Sequence, residues 1–154
     1  NAAVIHHGAD VVITMDADGE HDVGCALLFK EQFANRAISL VLGVRHKPNR
    51  FAEKFIGRYL YWKYGIKDIF CGMKGYDVEI WKKKGFFDSG RSVGTELALA
   101  AIRGGTPFIQ LPVSGMPRVD TSRFGSGLRV SFKLAVGIWV GLTSSKVVFQ
   151  GSEE

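Results

Sequence analysis

Two carboxylates one residue apart, Asp16 and Asp18, follow directly on the apolar run Val11-Val12-Ile13-Thr14-Met15, with Gly19, Glu20 and His21 next in line. Paired carboxylates at such a point call for a cation. Hard oxygen donors suit Mg²⁺ or Mn²⁺, and Mg²⁺ characteristically joins one or two protein carboxylates to substrate phosphates. The chemistry these residues could do is therefore metal-assisted binding of a nucleotide or phosphate. A polar turn, with Asp and Gly chosen for backbone reasons, reads equally well from this stretch alone.

The apolar run is β-branched and too short for a helix, which reads as a buried strand. Ligands of open α/β sheets gather beyond the carboxyl ends of strands, where Asp16 and Asp18 would stand. Upstream, residues 1–8 read as the end of a helix stopped at Gly8, so the fold is expected to have begun before this chain does. Asp22 is placed to cap a helix running through Phe29 to about Phe33. Residues 39–44 form a second apolar strand that delivers Arg45 at its carboxyl end. Strand, helix, strand in this order indicates a parallel α/β sheet.

From Arg50 to Tyr64 the pattern is an amphipathic helix. Its aromatic stripe, Phe51, Phe55, Tyr59 and Trp62, reads as core, with Arg50, Lys54, Arg58 and Lys63 facing water. Residues 66–76 are punctuated by glycines, and Asp77 can cap a short helix ending in Lys82-Lys83-Lys84, cations that complement its dipole. Residues 92–103 are good helix formers stopped by Gly104-Gly105, and residues 108–113 read as a strand with Pro112 at an edge or near its end. The loop from Met116 to Gly127 sets Arg118 and Arg123 among hydroxyls, glycines and a proline, the make-up of an anion-binding loop or of a plain surface loop. Residues 128–142 are apolar but interrupted by Arg129 and Lys133. That is short for a span of about 20 residues and fits an interfacial helix or a buried terminal one.

A chain of 154 residues makes one domain and buries roughly two-thirds of its unfolded surface. Cys25 and Cys71 have no metal-binding spacing, which points to a reduced, cytosolic setting rather than a disulfide scaffold. The net charge of +5 is unevenly spread: residues 1–44 carry −4, residues 45–84 carry +7 and the remainder +2. An acidic end thus faces a basic middle suited to phosphates, nucleic acid or an anionic membrane, where a solvated helix face is the plain alternative.

Taken together, the chain resembles the later part of a family-2 glycosyltransferase domain of the GT-A type, in the branch of dolichyl-phosphate mannosyltransferases and polyprenyl-phosphate glycosyltransferases. Met15-Asp16-Ala17-Asp18-Gly19-Glu20-His21 resembles the family's DxDGQH metal motif, with Glu20 in place of Gln. Gly43-Val44-Arg45 resembles a strand ending in a phosphate-contacting arginine, and Asp68 with Cys71-Gly72-Met73-Lys74 resembles the D-x-x-[SC]-G-[FM]-[KR] element beside the acceptor. Thr95-Glu96 resembles the acidic helix start. Leu111-Pro112-Val113 with Arg118, Ser122 and Arg123 resembles the loop that closes the pattern. The family's opening strand and its base-holding segment have no counterpart here, as in a fragment or a reduced relative.

The resemblance implies a partial GT-A, Rossmann-like α/β fold, a mixed and mainly parallel sheet with flanking helices, over residues 1–126. Residues 127–154 would form an amphipathic, juxtamembrane helix and tail. It implies an inverting, metal-dependent transfer from a nucleotide-sugar donor to a polyprenyl-phosphate or glycan acceptor, at the cytoplasmic membrane face and with no nucleic-acid partner. Asp16, Asp18 and Glu20 would hold Mg²⁺ or Mn²⁺, while Arg45, Arg118, Ser122 and Arg123 would grip phosphates. A lipid phosphate is already anionic at neutral pH and needs positioning, whereas a sugar hydroxyl needs a base, for which Asp68 and Glu96 are the candidates. Two other readings stand beside this one. One is a haloacid-dehalogenase-like phosphohydrolase with Asp16 as nucleophile, and the other a non-catalytic fragment that binds anionic surfaces.

Overall fold

The computed structural model describes residues 2–16, 22–34, 37–46, 51–87 and 94–113. In chain order the elements are α1 (Ala2–His7), β1 (Val11–Thr14), α2 (Gly24–Gln32), β2 (Leu40–Val44), α3 (Phe51–Tyr64), β3 (Lys74–Asp77), α4 (Val78–Lys84), α5 (Thr95–Arg103) and β4 (Phe108–Pro112). Local signals set several boundaries. The Asp22 carboxylate accepts a hydrogen bond from Gly24 N at 2.8 Å, one residue ahead of the helix it starts. Asp77 caps α4 by accepting from Glu79 N at 2.8 Å, and α4 stops at Gly85. Pro112, which has no N–H to give a ladder, is the last residue of β4.

The four strands stand in the order β1-β3-β2-β4. β2 and β4 are parallel, with Leu40 opposite Phe108 and Val44 opposite Pro112. β3 pairs antiparallel with both β1 and β2, setting Tyr76 opposite Val12 on one side and Leu40 on the other. Three strands thus share one direction, and the fourth is inserted against them between β1 and β2. The sequence reading did not see β3, whose Lys-Gly-Tyr-Asp has neither an apolar run nor clean alternation. The consequence is geometric. An antiparallel strand begins where its neighbours end, so the segment leading into β3, residues 68–73, arrives at the carboxyl ends of β1 and β2.

Side-chain alternation divides the core into two layers. Leu40, Leu42 and Tyr76 pack with Leu60 of α3, Ile80 of α4 and the body of α5. Val41, Met73 and Cys71 pack with Cys25 and Phe29 of α2 on the other side. β2, flanked by β3 and β4, is buried through Gly43. β1 is only half-buried, because it is an outer strand of the described sheet, and this corrects its reading as a fully buried one. The aromatic stripe of α3 is likewise corrected. Phe55, Tyr59 and Trp62 face outward, while Glu53 and Leu60 take the inner face. Phe51's side chain, Asp18, Glu20 and residues 114–154 lie outside the described set. Among the described residues no helix is long and apolar enough to cross a membrane.

One contact ties β2 to the approach of β3. Gly43 N donates to Met73 O at 2.9 Å, and a β-carbon on Gly43 would lie 2.8 Å from both that carbonyl and Cys71 Sγ. A backbone oxygen and a core thiol cannot step aside cheaply, and overpacking of this kind costs about 1–3 kcal/mol. Gly43→Ala is therefore expected to lower the urea midpoint by an amount equivalent to about 2 kcal/mol without changing the slope of the transition, as read by far-UV circular dichroism.

Candidate active site at the carboxyl ends of the sheet

Asp16 stands two residues beyond the end of β1, half-exposed, above the turn that leads into β3. The space its carboxylate fills is made by a glycine. A β-carbon on Gly72 would fall 2.0 Å from Asp16 Oδ2 and 2.4 Å from Oδ1, so any other residue at 72 would drive the carboxylate out. The same turn is pinned from below, because Thr14 Oγ1 donates to Gly72 O at 2.8 Å. Thr14 of β1 thus holds the turn, and the turn makes room for Asp16 just beyond the strand.

Lys74, the first residue of β3, lies beneath this group with only 1% of its surface exposed. Its ammonium donates to the carbonyl of Cys71 and lies in the field of Asp16 and Asp68. Burial dominates these attractions and lowers the Lys74 pKa to about 8. The neighbouring Cys71 thiol is pushed up to about 11, again chiefly by burial, which leaves it a neutral packing group. Cys25 and Cys71 are both free thiols.

Arg45 follows β2 and turns its guanidinium onto Asp68. Nε reaches Oδ2 at 2.7 Å and Nη2 reaches Oδ1 at 2.9 Å, a planar fork against a planar acceptor. Nη2 also donates to Glu53 Oε2 at 3.0 Å, and Glu53 is 5% exposed on the inner face of α3. Burial works against the charge of Arg45, but the hydrogen bonds and charges of Asp68, with that of Glu53, outweigh it and hold its pKa above the ordinary value. Asp68 accepts further from Arg45 N at 3.2 Å and Phe70 N at 3.1 Å. Both of its oxygens are occupied in holding Arg45 and the turn. Among the described residues, Arg45 Nη1 makes no hydrogen bond and is the atom left for a ligand.

A cavity of about 400 Å³ opens beside this pair, between α3 and residues 67–70. Arg45, Lys54, Arg58, Tyr61, Asp68 and Phe70 are among its walls. Glu96 lies elsewhere in the arrangement. At the start of α5 it forms a buried ion pair with Lys84 at 2.6 Å, and the neighbouring Thr95 hydroxyl donates to Ile69 O at 3.4 Å. The structure therefore brings Arg45 and Asp68 into direct contact and sets Asp16 over the adjoining turn. Asp18, Glu20, Arg118, Ser122 and Arg123 lie outside the described residues.

Three participants went unassigned at the sequence level: Glu53, Lys74 and the cradle at Gly72. Glu53 had a visible signal, since it shares the helical face of Ile56 and Leu60 and is the only acid of α3. Gly72 and Lys74 stand in the stretch that resembles the D-x-x-[SC]-G-[FM]-[KR] element, but their placement against Asp16 comes from β3 being inserted antiparallel.

The donors at this strand end are those a divalent metal takes. Asp16 offers hard carboxylate oxygens at a strand end, and its sequence neighbours Asp18 and Glu20 carry more. Among the described residues no group of three potential ligands is assembled. Asp16 fits as one ligand, with the buried Lys74 amine beneath it.

No protein-family model matches the chain, and no curated protein matches it. Solved structures do. Glucosyl-3-phosphoglycerate synthase from Mycobacterium tuberculosis, crystallised with Mn²⁺ and UDP-glucose, superimposes with a TM-score of 0.64 at 15% identity over 93% of this chain and 51% of that one. The same enzyme with phosphoglyceric acid gives 0.63 at 13% identity, covering 93% and 52%. Its complex with Mn²⁺, UDP and glucosyl-3-phosphoglycerate gives 0.63 at 13% identity, covering 93% and 52%. The chain spans about half the length of these proteins and shares their fold, that of a GT-A glycosyltransferase, as part of an open α/β sheet with flanking helices.

The depressed Lys74 pKa carries a sign that can be checked. Its folded value of about 8 lies below the ordinary 10.5, so between these limits the unfolded chain holds more protons than the folded one. Stability should then rise with pH across that window, by up to about 1.4 kcal/mol per unit, and the penalty is fully present below it. Urea unfolding followed from pH 7 to 10.5 is expected to show this rise for the wild-type chain relative to Lys74→Met, which removes the titrating group.

Proposed function

We propose that this chain is part of a metal-dependent glycosyltransferase that moves a sugar from a nucleotide-sugar donor to a phosphorylated acceptor. The observation that carries the reading is Asp16, set at the carboxyl end of β1 in a cradle that excludes any side chain at Gly72. The fold shared with structures that hold Mn²⁺ and UDP-glucose supports it. Asp16, with Asp18 and Glu20, would hold Mg²⁺ or Mn²⁺, and such an ion offsets charge developing on a diphosphate leaving group.

The chain's own residues then divide the work. Asp16 carries the donor end of the site. Asp68 and Glu53 fix the plane of Arg45, which lines the cavity where an acceptor phosphate would be oriented rather than deprotonated. Lys54 and Arg58 add positive charge along the same wall. Because both Asp68 oxygens already accept hydrogen bonds, its role in this reading is to position Arg45, and an acceptor that is already anionic suits the site better than a hydroxyl needing a base. Arg118, Ser122 and Arg123 remain proposed phosphate contacts on sequence grounds. The acceptor proposed is a lipid phosphate of the polyprenyl type, met at a membrane surface. Phosphoglyceric acid, seen with the structural neighbour, marks the soluble alternative of the same chemistry.

Calorimetric titration of the chain with UDP and with GDP, each with and without Mn²⁺, tests the reading. Metal-dependent binding of one nucleotide is expected, and Asp16→Asn should weaken it by about tenfold to a hundredfold, the effect of one lost charge-assisted contact. Gly72→Ala should weaken it similarly by displacing the same carboxylate. Binding that ignores both metal and substitutions would contradict the assignment.

A further inference from the structure

We propose that the outer face of α3 is a docking surface for an anionic lipid bilayer. Phe55, Tyr59 and Trp62 recur at four- and three-residue steps and form one ridge along the helix. Phe55 is 67% and Trp62 82% exposed, so the ridge makes no use of the core. The core instead takes Glu53 and Leu60 from the opposite side. On a 3.6-residue helix, Arg58 falls on one flank of the ridge and Lys63 on the other, with Lys54 and Tyr61 beyond Arg58. Lys63 Nζ donates to Tyr59 Oη at 3.0 Å, placing a cation along the ridge's edge. Among the described residues, Lys54 and Arg58 have no ion-pair partner.

Aromatic side chains in the centre with cations on both flanks form the pattern of a helix lying in a membrane interface, where rings enter the headgroup boundary and ammonium and guanidinium groups meet lipid phosphates. Charge selects this occupant over others. The outer face of α3 carries Lys54, Arg58 and Lys63, and the helix's one acid, Glu53, is turned inward, so a second copy apposed across a two-fold axis would set like charges against each other. Residues 128–142 of the same chain bring Arg129 and Lys133 and would meet the same repulsion. An anionic bilayer reverses that sign.

The inference deepens the lipid-phosphate reading of the acceptor, on which it rests, because Lys54, Arg58 and Tyr61 belong both to this side of α3 and to the cavity beside Arg45. A protein seated on the ridge would hold the mouth of that cavity at headgroup level.

Co-sedimentation with vesicles of phosphatidylcholine alone, or of phosphatidylcholine with phosphatidylglycerol, tests the surface with neither nucleotide nor acceptor present. The full chain is expected to bind the anionic vesicles and to lose that binding in high salt. Phe55→Gln/Trp62→Gln should weaken it at least about tenfold, from the loss of two interfacial aromatic side chains. Lys54→Gln/Arg58→Gln should weaken it about thirtyfold, each cation contributing about fivefold. Leu27→Gln, at an equally exposed apolar position on α2, should bind as wild type, and unchanged circular dichroism would confirm that all variants are folded. Absence of vesicle binding by the wild-type chain would overturn the proposal. So would an aromatic double variant that binds as wild type, a solution dimer that this variant converts to monomer, or a cross-link between residues 128–142 and α3 in the vesicle-free protein. None of these outcomes touches metal-dependent nucleotide binding, so the docking face can fail while the sugar-transfer reading stands.

Discussion

The carboxylate of Asp16 occupies the volume that a β-carbon at residue 72 would need, and most of the site follows from that close approach. The approach exists because β3 runs against its neighbours. Had β1 and β2 been joined directly in a parallel sheet, the segment 68–73 would have no reason to arrive at their carboxyl ends. Inserted antiparallel, β3 begins there, bringing Asp68, Gly72 and Lys74 against Asp16 and Arg45. Gly43 on β2 and Gly72 in the turn before β3 make the same concession, giving up a side chain so that backbone and carboxylate can come within contact distance.

Electrostatics then fixes which charges remain available. Arg45 is held by two acids, Lys74 is sunk beneath Asp16, and Lys84 is closed onto Glu96 in a pair only a few per cent exposed. Buried pairs of this kind add little net stability, since desolvation offsets most of the attraction, but losing one partner is costly because the other is left unpaired. Their effect is to fix orientation. Arg45, held in its plane, shares one cavity wall with the exposed cations Lys54 and Arg58 of α3. In the proposed reading, the carboxylate would mark the donor end and these cations the acceptor end of a transfer between two phosphorylated molecules.

Much of this was legible in the sequence. The β-branched run at 11–14, the apolar run at 40–44 and the capping residues Asp22 and Asp77 are local signals with local causes, and each set an element where the structure has it. The order of these pieces indicated an α/β sheet, and the resemblance of the motifs from Asp16 to Glu96 implied its GT-A form. What failed to show had non-local causes. β3 has no pattern of its own and is a strand because two neighbours pair with it. The aromatic stripe of α3 looked like core, but helical spacing reports only that residues share a face, and Glu53, anchored to Arg45, turned the other face inward. Arg45 and Asp68 were legible as charged groups, though not as partners, since 23 residues separate them.

In the proposed reading Asp16, cradled over Gly72, is where a divalent metal binds. Paramagnetic broadening by Mn²⁺ in ¹H–¹⁵N spectra of the chain tests it most directly, because broadening maps the ion's position without requiring turnover. The amide signals of Asp16, Gly72 and Met73 are expected to fade first, at substoichiometric Mn²⁺, with those of α4 unaffected. Broadening centred on His6 and His7, or spread evenly over the acidic surface, would contradict the account.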